Sequence, residues 1–407
     1  MTSRDKTLHQ NLRRVFRNGL VAESLSLYDK AVIRHLEVYF SQLTRESNEG
    51  GWSPPADMRI WNLCLGFDTM GDFGFGIKTN LLCSQAREFV FPALHVHEKK
   101  MGLWEQLPIL NDLGIADVIS RLFLLFSPRA RAFAQWYQDF LGQAISNNTP
   151  KSNGIFGPVI QSGQGLLANP GHNYAQMIGE GAFSTFSSAD AYGIMLSGFF
   201  HYLSRHPDVY ERLARDIRST FKPEENIVWG SKLESCVYLR AVVDEVVRML
   251  PPACGVHWRE CEGLGITVGP DGLLLPVGGS VGMSLFSLFR DGRIFRDPSK
   301  FWPDRWIKGV LAEEELTFAK KMFTPFLVGP RNCAGSHVAI RIASMAFAYV
   351  LVNYDFRLGP DQSKASPRLW TNTPDKPGAE SELIFESHYS IASWESGPFI
   401  QFKVRRP

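Results

Sequence analysis

The sequence predicts a mainly α-helical fold with a small β part, organised as one domain. Three observations carry this. Long stretches repeat apolar residues at helical spacing. β-Branched runs broken by turn glycines are confined to residues 256–285 and the C-terminal end. No repeat, low-complexity tract or Gly/Ser linker divides the chain.

From Asp5 to about Leu43 the pattern is helical, with Leu8, Leu12, Val15 and Phe16 on one face, then Val32, Ile33, Leu36 and Phe40. Asp57 to Gly76 begins as a helix and ends in DFGFG, a glycine-punctuated turn. Between residues 77 and 170, helical pieces such as RARAFAQWYQDFLGQAI alternate with Pro and Gly stops, and NNTPKSNG reads as a surface loop. Tyr174 to Arg205 reads as one long helix, closed by His206-Pro207, with Asp208 starting the next. Cys236 to Leu250 is a further helix, stopped by Pro251-Pro252 because proline has no N–H to continue the ladder. ITVGPDGLLLPVGGSVGM has the composition of short strands and hairpins. Residues 294–332, rich in Pro and aromatic residues without a long period, read as packed irregular coil. A helix follows over 334–352, and ESELIFESHYSIAS and GPFIQFKV read as closing strands.

The composition, 44% apolar and 21% charged over 407 residues, is that of a folded globular protein. A net charge of +2 gives no general attraction to nucleic acid, so no nucleic-acid partner is expected and any basic surface is local. The six cysteines (Cys64, Cys83, Cys236, Cys254, Cys261 and Cys333) form no CxxC pair, zinc spacing or disulfide framework, which favours a reducing compartment. No apolar run reaches the roughly 18 residues of a membrane span, and the longest apolar helical pattern carries Arg341. The first residues, MTSRDKTLHQNLRR, are charged and unlike a signal peptide, so the expectation is a soluble or peripheral chain.

FLVGPRNCAG, residues 326–335, has the surroundings of a ligand site. Cys333 lies in a turn just before a helix start, where free N–H groups favour a thiolate. Gly329 and Gly335 would let backbone approach a flat ligand, Arg331 could pair with a carboxylate of that ligand, and Phe326 would shield the sulfur. A buried structural cysteine would explain the sulfur but neither the glycines nor the arginine. In YLRAVVDEVVRMLPP, Glu245 and Arg248 are three apart on one helix face, among valines and before a double proline. Alone, such a pair is usually a solvated ion pair. FWPDRW places Arg305 in the coil downstream, and HQNLRR puts His9 and Arg13 on one face of a basic helix with Arg14 and Arg17.

Phe326-x-x-Gly329-x-Arg331-x-Cys333-x-Gly335 resembles the haem-binding signature of the cytochrome P-450 family, the haem-thiolate monooxygenases. The resemblance covers nearly the whole chain, including DMRIWNLCLGFDTMGDFGFG, and is to fungal members of secondary metabolism. It implies the cytochrome P-450 fold with haem b, its iron held by the Cys333 thiolate. It implies a structural triad of Glu245, Arg248 and Arg305, with Asp304 where the family often has Glu. It implies propionate partners in His9, Arg13 and Arg259, and an NADPH-cytochrome P-450 reductase as electron donor, docking at Arg13, Arg14 and Arg17. O2 and a small apolar substrate complete the partners of a monomer at the endoplasmic reticulum surface, or cytoplasmic because no anchor is present in this chain.

Two departures from the family stand out. The chain begins at about the family's third helix, so the resemblance implies one domain over 1–407 lacking the anchor, the first helices and the first strands. The long helix has Ser187-Ser188-Ala189-Asp190-Ala191-Tyr192 at the family's distal motif. Asp190 fills the acid position and is the candidate catalytic residue. Ala191 stands where the threonine that helps deliver protons to dioxygen is usual. Three readings follow: an active monooxygenase, an enzyme that rearranges, dehydrates or couples its substrate, and a truncated inactive product. The pocket is expected between Phe183–Tyr192, the segment after Pro252 and the turn from Ser390 to Trp394.

Overall fold

The N-terminal helical pattern becomes two helices in the computed structural model, α1 (Lys6–Gly19) and α2 (Ala22–Leu43). The structure describes residues 5–20, 22–47, 51–84, 90–91, 113–146, 174–223, 225–269, 272–360, 386–388, 391–393 and 397–405. A short strand, β1 (Ala56–Asp57), leads into α3 (Met58–Phe75). The Asp57 carboxylate accepts from the Arg59 N–H at its start, and Gly76 ends it in the left-handed region at φ 67°. After α4 (Ile115–Phe126) and α5 (Pro128–Ser146) comes the long helix read from the sequence, α6 (Tyr174–Arg205). The loop NNTPKSNG lies outside the described residues.

Pro207 opens α7 (Pro207–Thr220), which is followed by α8 (Ser231–Glu234) and α9 (Val237–Met249). The expected hairpins are β2 (Arg259–Glu260) paired antiparallel with β5 (Ser280–Val281), and β3 (Ile266–Val268) paired with β4 (Leu273–Leu275). Next come α10 (Leu285–Leu288), a 3-10 turn over Pro303–Trp306, α11 (Glu313–Met322) and α12 (Ser336–Asn353). The coil expected over 294–332 is thus interrupted by a helix. Its three acidic residues in the first turn and two lysines in the last match the helix dipole, a signal that the lack of long periodicity masked. β6 (Tyr354–Leu358) pairs with β9 (Phe399–Val404), which also pairs with β1; β7 (Glu386–His388) pairs with β8 (Ile391–Ser393).

α12 runs through the core, packed on α2, α6, α7 and α9. By length and composition it could cross a membrane, with a mean hydropathy of 1.3 over 18 residues, which corrects the expectation that no run is that long. It faces protein instead, 67% of its length being buried, and its Arg341 grips Asp29 of α2 at 2.5 Å. α3 crosses α6 very closely. A Cβ on Gly66 would lie 2.4 Å from the Ala189 carbonyl oxygen, so only glycine permits this approach. That crossing fixes the face α6 presents to the site.

Candidate functional site

The loop over 326–335 is folded by its own backbone. The Cys333 N–H donates to the Phe326 carbonyl at 2.8 Å, and the Asn332 N–H to the Gly329 carbonyl at 3.1 Å. Gly329 takes φ 80° and Leu327 takes φ 59°, a conformation unusual for a bulky side chain and of the kind stored at functional sites. Gly329 is therefore required for its dihedral. It lies outside the cavity lining, so the close approach to a flat ligand expected of it is not what the structure shows. Gly335 caps α12 and does line the cavity, with nothing within 4 Å of an added Cβ.

That cavity holds about 400 Å3, within the range of small-molecule sites. The loop contributes Phe326, Arg331, Cys333 and Gly335; α1 contributes His9 and Arg13; α6 contributes Ser187, Ser188 and Ala191. Met70 and Phe73 of α3 and Pro252 and Ala253 add apolar wall. Cys333 is exposed, and what it is exposed to is this cavity. Burial pushes its thiol up, while the Gly335 N–H and the charge of Arg13 pull the other way.

Arg13 ties α1 to the loop, donating to the Asn332 backbone carbonyl at 2.5 Å and to its side-chain oxygen at 2.8 Å. His9 is 5% exposed. Burial first, then the charges of Arg331 and Arg13, hold its pKa below the usual imidazole range. Two further expected site residues lie outside the lining. Asp190 is on α6 beside Ala191 but outside the lining, since each residue turns a helix by about 100°. Arg259 is exposed in β2 and donates to the Trp258 carbonyl at 2.8 Å, away from the lining. The turn from Ser390 to Trp394 falls mostly outside the described residues.

Glu245, Arg248 and Arg305 form one buried network. Arg248 donates twice to Glu245, both at 2.9 Å, and Arg305 donates at 3.1 Å. Trp306 Nε1 and the Trp302 N–H complete the carboxylate at 3.0 and 2.8 Å. Burial alone would raise the Glu245 pKa, yet Arg248 and Arg305 hold it below the carboxylate range. The arginines also bind the carbonyls of Phe289, Pro298 and Asp297. The network thereby pins α9 to the coil that leads to the Cys333 loop.

The sequence reading did not name Asn332, and it took in Thr185 and Tyr192 only as part of the expected lining from Phe183 to Tyr192. Asn332 adjoins the cysteine, and Thr185 and Ser188 are reached by stepping back at helical spacing from Ala191, so spacing alone was a usable signal for them. Among the described residues no group of three or more His, Cys, Asp or Glu side chains gathers, so the candidate metal ligand is Cys333 alone. One sulfur, two arginines, a histidine and apolar walls suit a flat, anionic macrocycle that brings its own metal donors.

A sequence profile described as Cytochrome P450 matches residues 185–377. A cytochrome P450 monooxygenase of Gibberella zeae is 25% identical over all of this chain and 91% of its own length. Cytochrome P450 monooxygenase apf7 of Gibberella fujikuroi is 26% identical over 99% of this chain and 77% of its own. The poxM monooxygenase of Penicillium oxalicum is 28% identical over 88% of this chain and 69% of its own.

Proposed function

This chain belongs to the cytochrome P450 family, and from that premise we propose that it is a haem-thiolate monooxygenase acting on an apolar fungal secondary metabolite, by hydroxylation or epoxidation. The balance is one O2, one NADPH and one proton consumed, one oxygen atom placed in the substrate, and the other released as water. Electrons would arrive through an NADPH-dependent reductase, at the endoplasmic reticulum surface. The observation that carries the reading is the meeting of Cys333, His9, Arg13 and Arg331 on one cavity.

Bound haem would supply dioxygen activation, favoured by an electron-rich thiolate ligand. Cys333 would present that thiolate, and because burial raises its thiol, ligation releases a proton. Arg13 and Arg331 would bind the carboxylates of the macrocycle, with His9 kept neutral between them and able to hydrogen-bond. Met70, Phe73 and Pro252 add apolar wall to the same cavity and would help to exclude water. On α6, Ser187 and Ser188 are among the hydroxyl residues of the lining and would be able to pass a proton, with Asp190 outside the lining. Ala191 lines the cavity and can pass none.

Ala191 favours a second reading, an enzyme that rearranges, dehydrates or couples its substrate. Turnover of a panel of apolar terpenes and aromatic polyketides under 18O2, with the reductase, separates the two. A product carrying one 18O atom is expected. A product lacking label, formed at the same rate, would establish the second reading instead.

A further inference from the structure

Arg13 is gripped without being neutralised. It lies on α1 four residues after His9, and its guanidinium meets a single residue, Asn332. One nitrogen donates to the Asn332 backbone carbonyl at 2.5 Å and the other to its side-chain oxygen at 2.8 Å. Asn332 is itself fixed by the loop. Its N–H donates to the Gly329 carbonyl at 3.1 Å, and the Cys333 N–H that follows donates to the Phe326 carbonyl at 2.8 Å. Arg13 and Asn332 both line the cavity. Both acceptors of the guanidinium are neutral, and no carboxylate pairs with Arg13 among the described residues. A guanidinium carries five N–H groups, so three remain for a ligand, together with the whole positive charge.

We propose that Asn332 is a positioning residue for Arg13, whose amide oxygen aims the guanidinium at a carboxylate of the bound macrocycle while leaving its charge intact. This rests on the haem reading and adds a residue to that site. An arginine side chain has several rotatable bonds, and ordering them only when a ligand arrives would weaken binding. The contact with Asn332 orders them during folding. A carboxylate at 332 would hold the guanidinium too, but would cancel the charge that the ligand needs. An apolar side chain there would leave the backbone carbonyl alone to hold it, a single bond about which the group can turn. The aim is therefore carried through the loop: Gly329 at φ 80° allows the turn, the turn sets Asn332, and Asn332 sets Arg13.

The test loads the chain with haem or with haem dimethyl ester, which lacks the carboxylates, and follows release of each to excess apomyoglobin by the Soret change. Asn332→Ala should release haem about fivefold faster than wild type. With the dimethyl ester, the variant and wild type should release at the same rate, because no carboxylate is left for Arg13 to meet; an asparagine that merely supports the loop would speed both releases alike. In an Arg13→Met background, Asn332→Ala should change neither rate, since the group it positions is gone. If Asn332→Ala does not fold, Asn332→Ser, too short to reach the guanidinium, carries the same expectation. Haem release unchanged by the substitution, or haem and ester release accelerated equally, overturns the positioning role while leaving the haem reading intact. Failure of wild type to take up either macrocycle overturns both.

Discussion

Glu245 and Cys333 are both ionisable groups of the site region, but their surroundings treat them oppositely. Every lone-pair direction of the Glu245 carboxylate is used, by two arginines, an indole N–H and a backbone N–H. The Cys333 sulfur stays exposed to the cavity. A closed network is what support looks like, because its worth is realised in the folded chain alone. A sulfur left open on a cavity wall is what a binding surface looks like, because its partner arrives later. One side of the site is thus finished by folding, and the other is left to be finished by a ligand.

The comparison breaks first at Glu245. Glu245→Ala strands two buried guanidinium groups, at a cost of about 3–5 kcal/mol. Soluble, haem-containing protein should nearly vanish on expression. Normal haem content with only turnover lost would move Glu245 from support to chemistry.

Ala191 sharpens the comparison from the other side. With no hydroxyl there, much of the NADPH consumed should appear as hydrogen peroxide. Ala191→Thr adds only a few tenths of a kcal/mol of helix cost and should raise product formed per NADPH several-fold. Unchanged peroxide release by a folded variant would remove proton delivery from the account and strengthen the rearrangement reading.

A smaller effect concerns Asp244, the neighbour of Glu245 in α9. Burial raises its pKa to about 6, with Arg240 pulling the other way. The folded chain therefore binds more protons than the unfolded one between the ordinary carboxylate range and about 6, so this group loses stability as pH rises through that window. Asp244→Asn should match wild type near the acid end and exceed it by up to about 3 kcal/mol at neutral pH. Denaturant melts at the two ends check this, and a gap that closes as pH rises would refute it.

The sequence carried much of this. α6 and α9 were legible because their apolar spacing is regular and prolines stop them. The Cys333 loop was legible because glycine, arginine and cysteine sit at fixed intervals. α11 was hidden inside a Pro- and aromatic-rich stretch whose charge pattern outweighed its weak apolar period. The Arg13–Asn332 contact joins residues 319 apart, and no local pattern reports such a pair. Nor could the sequence show that Asp190 turns away from the cavity or that Arg259 stays at the surface, because both depend on how neighbouring elements rotate and pack.

The central claim is that Cys333 is the thiolate of a haem site, and reduction under carbon monoxide tests it most directly. Wild type loaded with haem should give the long-wavelength Soret band of a thiolate-ligated carbonyl complex, and Cys333→Ala, folded to the same thermal transition, should lose it. That band persisting in Cys333→Ala, or missing from well-folded, haem-loaded wild type, would contradict the account.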